Sequence, residues 1–160
     1  DRWVYDKNLD PVTGVPNHRF LAEHHFAVSE EVFQPDRTVF FLTLHITNLT
    51  EIYEAHGVDR GDTYLKQVMA LFSKVIPSPK FVFRLSETHF LIMLMDRSRK
   101  DVEHLTSKLK HLLERNPLNV NGSPIEAQTQ WGLSSYPREG RELFNLINLS
   151  RKSLTQKAMA

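Results

Sequence analysis

The chain has 160 residues, 41% of them hydrophobic and 24% charged, enough for one domain with its own core and too apolar for a disordered segment. Its 20 basic and 19 acidic residues leave a net charge of +1, which is no electrostatic footprint for nucleic acid or an anionic membrane. The absence of cysteine excludes disulfides, thiolate nucleophiles and cysteine-based zinc sites, and no apolar run approaches the roughly 20 residues of a membrane-spanning helix.

Taken in chain order, residues 1–16 read as irregular, with Asp10-Pro11 and Gly14 through Pro16 as turn signals. Asn17 is suited to cap a helix running through Phe20 and Leu21 toward Val32, and Pro35 breaks it. Val39 to Ile46 (VFFLTLHI) is β-branched and aromatic, a buried strand. A short helix follows from Leu49 to His56, closed by Gly57. The run Asp59 to Ile76 sets Leu65, Val68, Met69, Phe72 and Ile76 on one helical face, and Pro77 and Pro79 end it. Lys80 to Leu85 and His89 to Met95 read as two strands with only Ser86 to Thr88 between them, hence a hairpin. Asp101 to Arg115 is an amphipathic helix, Val120 to Ser123 a turn, Ile125 to Tyr136 a long strand stopped by Pro137, and Arg141 to Lys157 a last helix. This mixed order predicts an α/β sandwich whose central sheet contains a hairpin, not a purely parallel doubly wound sheet. With no internal repeat or low-complexity linker, residues 1–160 read as a single domain. A start at Asp1 without Met or leader suggests a piece excised from a longer multidomain protein, and a cytoplasmic setting is expected.

Several stretches, in order, carry a resemblance. Asp10 through Phe20 (DPVTGVPNHRF), Gly57 with Gly61-Asp62, Arg84 through Phe90 (RLSETHF), Gln130 through Pro137 (QWGLSSYP) and the closing helix ending at Lys157 resemble motifs of the GGDEF, or diguanylate cyclase, domain. The resemblance spans nearly the whole chain. It implies a palm-like fold, with a central, mainly antiparallel five-stranded sheet flanked by helices, as in class III nucleotidyl cyclases. It also implies an ancestral reaction. Two facing domains each hold one GTP, and each 3′-hydroxyl attacks the other's α-phosphate to give cyclic di-GMP.

That reaction uses two metal ions, and magnesium prefers hard oxygen ligands, mostly carboxylates. At the positions where the resemblance implies those carboxylates, this chain has His45 and Thr47 at the end of the first strand, and Thr88 and His89 in the signature. The two signature glycines, which give a tight turn and close approach of the nucleotide, are Ser86 and Glu87. At φ > 0 each would cost roughly 1 kcal/mol or more; a relaxed turn would move the pocket floor instead. The guanine-contacting Asn of the family aligns with Tyr53. Asp62, aligned with the other guanine contact, and Lys157, aligned with a phosphate contact, are retained as a nucleotide-binding remnant. Both equally suit plain structural roles, Asp62 as a helix cap and Lys157 as a solvated helix end. Glu87 reaches the lost carboxylate's place only by a one-residue slip, which would turn every following side chain over. The inhibitory R-x-x-D site of the family falls on Pro77 to Lys80, which has neither residue.

These substitutions predict a domain that has lost catalysis, with no catalytic residue, metal or cofactor. It would act as a regulatory, dimerisation or protein-interaction module in cyclic di-GMP signalling. The partners expected are other domains of the same chain, such as an EAL-type phosphodiesterase or a sensor, a protein partner, or a second copy in a homodimer. A GTP sensor without turnover is the alternative; an active cyclase with rearranged ligands is the third reading. Of the eight histidines, His45 and His89 are the pair of interest: on neighbouring strands facing the old cleft, they would meet to bind a transition metal or form a pH-sensitive contact. Satisfied or exposed histidines are the default against which that reading stands.

Overall fold

Val39–Ile46 forms β1, the strand on which the rest of the molecule is built. In the computed structural model, which describes residues 7–76, 81–120 and 122–154, alternate β1 side chains go to opposite faces of the sheet. Phe40, Leu42, Leu44 and Ile46 pack on one side, where α2 (Leu49–His56), α3 (Val58–Ser73) and α4 (Arg99–Arg115) cover the sheet. Val39 and Phe41 pack on the other, under α1 (His18–Val32) and α5 (Leu143–Lys152). Burial on both faces explains why the strand is a continuous apolar run, since each side chain removed from water contributes about 1.5–3 kcal/mol.

The sheet has the order β2–β3–β1–β6, with β2 Val82–Arg84, β3 His89–Met95 and β6 Thr129–Tyr136, and every pairing is antiparallel. The expected antiparallel sheet flanked by helices is present, but it has four strands among the described residues, not five. The expected long strand from Ile125 is divided. Leu118–Val120 (β4) and Ser123–Ile125 (β5) pair only with each other in a separate hairpin. Pro124 in β5 has no N–H to donate to a ladder. Residues 126–128 are tied to Asn48, whose amide donates to the Glu126 carbonyl and whose side-chain oxygen accepts from the Gln128 N–H.

The Asn17 cap is present: its side-chain oxygen accepts from the Phe20 N–H at 3.1 Å. The last helix begins two residues later than Arg141, because Glu142 is extended and its carboxylate accepts from the Phe144 and Asn145 N–H groups. Gly132 of β6 lies so close to the Ser150 carbonyl of α5 that a Cβ there would overlap it. Ser150, fully buried, shares a 2.6 Å hydrogen bond with Thr43 and locks α5 to β1.

Candidate functional site

Asp10 organises the entry loop. Its carboxylate accepts from the Thr13 N–H and hydroxyl at 2.9 and 2.6 Å, and Oδ1 pairs with Arg84 Nη1 at 2.8 Å. Both side chains of the ion pair are only about one-tenth exposed. The Arg84 N–H donates to the Pro16 carbonyl, and Nη2 donates to the Glu87 carbonyl at 2.6 Å. One guanidinium thus joins the entry loop to the β2–β3 hairpin. Sequence reasoning quoted Asp10 and Arg84 as motif letters but did not foresee that they meet; the contact spans 74 residues of chain.

The hairpin loop borders a cavity of about 580 Å³, whose lining includes Asp10, Tyr53, Arg84, Ser86, Glu87 and Thr88. Positive φ among non-glycine residues is confined to Asp36 and Asp96 within the described chain, so Ser86 and Glu87 have relaxed the turn instead of straining it. Arg84 pairs with Phe90 across the β2–β3 hairpin. Glu87 is exposed, and its carbonyl accepts from Arg84. The ionisable lining is acidic: Asp10, Glu54 and Glu87 stand against Arg84 and His18, and Arg84 is already engaged.

Tyr53 and Asp62 meet across the α2–α3 corner. Gly57, at φ 88°, turns the chain there, a conformation open to glycine at little cost. Gly61 lets the Tyr53 ring lie flat on α3; a Cβ at Gly61 would overlap the ring. The Tyr53 hydroxyl then donates to Asp62 Oδ1 at 2.6 Å. Burial first, and then the hydrogen bond and charge of Asp62, hold the Tyr53 phenol protonated well above the usual tyrosine range. Asp62 lies inside α3, which begins at Val58 behind Gly57, so it is not the helix cap that one sequence reading offered.

His45 and His89 do meet. They are opposite each other in the β1–β3 register, and their rings stack at 4.0 Å with an interplanar angle of 8°. Neither is among the residues that line this cavity. Strand parity puts His45 on the same face as Thr43, toward α5. His45 Nδ1 is 3.4 Å from Gln130 Oε1, and His89 Nδ1 is 2.9 Å from Ser86 Oγ and 3.1 Å from Thr88 Oγ1. Burial, then His45 and then Arg151, pushes His89 down to about 4, leaving it neutral at pH 7. Thr47 is exposed, with its hydroxyl donating to the Gln128 carbonyl.

Two imidazoles and two hydroxyls do not fit magnesium, which takes hard oxygen ligands in near-octahedral geometry. Among the described residues no group of three or more His, Cys, Asp or Glu is arranged to hold an ion. Lys157 and the Pro77 to Lys80 window lie outside the described residues. No helix among the described residues is long and apolar enough to cross a membrane.

The family model described as diguanylate cyclase, GGDEF domain, matches residues 7–159. The chain is 25% identical over 139 residues to the protein y4lL of Sinorhizobium fredii, covering 86% of this chain and 17% of that protein's length. It superposes on the FimX GGDEF domain from Pseudomonas aeruginosa with a TM-score of 0.79 at 16% identity, covering 92% and 91% of the two chains. It also superposes on the S helix-GGDEF-EAL portion of Vibrio cholerae LapD bound to c-di-GMP, with a TM-score of 0.70 at 16% identity, covering 92% of this chain and 33% of that one. At these identities the structural likeness establishes the fold.

Proposed function

From the premise that this chain belongs to the GGDEF family of diguanylate cyclase domains, a family of cyclic di-GMP signalling, we propose that it has lost cyclase activity and works as a regulatory, dimerisation or protein-interaction module. The observation that carries this reading is the absence of a carboxylate at His45, Thr47, Thr88 and His89, the places where the family's metal ligands are expected. Condensing two triphosphates needs metal ions to offset charge and activate the attacking hydroxyl. A stacked imidazole pair in place of those carboxylates does not suit the magnesium that performs both functions. The cavity adds a second obstacle. Its guanidinium is engaged by Asp10 and the Glu87 carbonyl, and its free ionisable groups are mostly acidic, which repels a triphosphate.

The retained Asp62 does not restore nucleotide recognition in this reading, because its carboxylate is engaged by Tyr53. The chain spans 17% of the length of the curated relative it matches, and LapD carries an EAL domain beside its GGDEF domain. A role in relaying state to a neighbouring domain or a protein partner follows naturally from such an arrangement. The second reading, a GTP sensor without turnover, draws on the 580 Å³ cavity, a size that suits a small-molecule site. Calorimetric titration with GTP and magnesium separates the two. The regulatory reading expects no saturable heat, whereas a saturable isotherm abolished by Asp62→Ala would move the assignment to the sensor.

A further inference from the structure

The histidine pair has a chemistry of its own. The Ile46 N–H donates to the Thr88 carbonyl at 2.9 Å, the hydrogen bond that flanks a non-hydrogen-bonded pair in an antiparallel ladder. His45↔His89 is that pair, the position at which opposed side chains approach most closely. The hydrogen bonds of both rings run through Nδ1, to Gln130 on one side and to Ser86 and Thr88 on the other. Such contacts orient an imidazole and present Nε2 to an ion.

We propose that His45 and His89 form a two-imidazole site for a transition-metal dication of the zinc or nickel type. Imidazole nitrogen suits these ions and not magnesium. The site would be new in kind, not a weakened copy of the ancestral carboxylate site. In the metal-free stack the ring lone pairs run parallel at 4.0 Å separation, so binding one ion requires the rings to splay. That motion is rotation about side-chain bonds, and the broad torsional preference of an imidazole at χ2 makes it inexpensive. The backbone register stays as it is. Water completes the coordination sphere, since no third His, Cys, Asp or Glu joins the pair among the described residues. The exposed Arg151 opposes a dication, but its charge is screened by solvent and salt. This inference stands on the geometry of the pair and does not depend on whether the domain is a relay or a sensor.

The test is a titration of metal-stripped protein with Zn²⁺, Ni²⁺ and Mg²⁺ in turn, read by calorimetry. Zinc or nickel should give a saturable isotherm and magnesium none. His45→Ala and His89→Ala should each weaken zinc or nickel binding at least about tenfold, and Gln130→Ala, which removes an orienting contact, should weaken it by about tenfold or more. His104→Ala with His111→Ala should leave it unchanged. NMR of the unsubstituted protein guards against variants that fail to fold: zinc should shift the ring signals of His45 and His89 first among the eight histidines. Absence of a saturable isotherm with either metal, or shifts that appear first at other histidines, would overturn the assignment.

Discussion

Replacing Tyr53 by phenylalanine removes a single oxygen, the one that donates to Asp62 at 2.6 Å. A hydrogen bond to a charged acceptor contributes about 1.5–3 kcal/mol when buried. Tyr53 is only half-buried and Asp62 can turn to water in its absence, so the expected loss is at or just below the low end of that range, about 1–2 kcal/mol. For a domain of this size that lowers the melting temperature by roughly 2–8 °C. The informative experiment is a double-mutant cycle of Tyr53→Phe and Asp62→Ala, read by urea unfolding. A coupling energy of about 1 kcal/mol is expected, because both singles remove the same bond. Coupling below about 0.3 kcal/mol would mean that the two side chains act independently, and the picture of an occupied Asp62 would have to be abandoned.

Arg84→Ala strips a nearly buried carboxylate of its cation and should cost about 3 kcal/mol in urea unfolding; Arg84→Lys should recover little, since an ammonium cannot serve Asp10 and the Glu87 carbonyl in the same planar fork. Gly132→Ala drives a methyl into the Ser150 backbone carbonyl and should force α5 off the sheet, at about 3 kcal/mol or complete loss of folding; a change below about 1 kcal/mol would contradict the packing. Tyr53 and Tyr64 both have phenols raised above the ordinary value of 10, burial being the leading cause in each. A raised folded-state value stabilises below pH 10 and is lost as the pH climbs toward that value. Absorbance titration should therefore show both tyrosines still protonated after an ordinary phenol has ionised, with stability declining above pH 10.

The strands and caps that rest on local patterning were legible. The apolar run of β1, the Asn17 cap and the stripe of α4 each need only a few neighbouring residues to be recognised. The end of β5 was not, because what interrupts the strand is Asn48, a residue far back in the chain that binds residues 126 and 128. The start of α5 was misplaced by two residues because Glu142 acts as its cap, a role less common for Glu than for Ser, Thr, Asp or Asn. At the site, the replaced positions were readable as letters, but their consequences required register. Only the pairing of β1 with β3 shows that His45 and His89 stack. The Tyr53–Asp62 contact depends on the turn at Gly57 and the bare surface of Gly61, neither of which specifies a partner in sequence.

The central claim, loss of the ancestral reaction, is tested most directly by product formation. The protein is incubated at high concentration with GTP and magnesium, and separately with manganese, beside an active diguanylate cyclase, and cyclic di-GMP is measured by mass spectrometry. The account predicts no product above the protein-free blank with either metal. Cyclic di-GMP accumulating in proportion to protein concentration would contradict it.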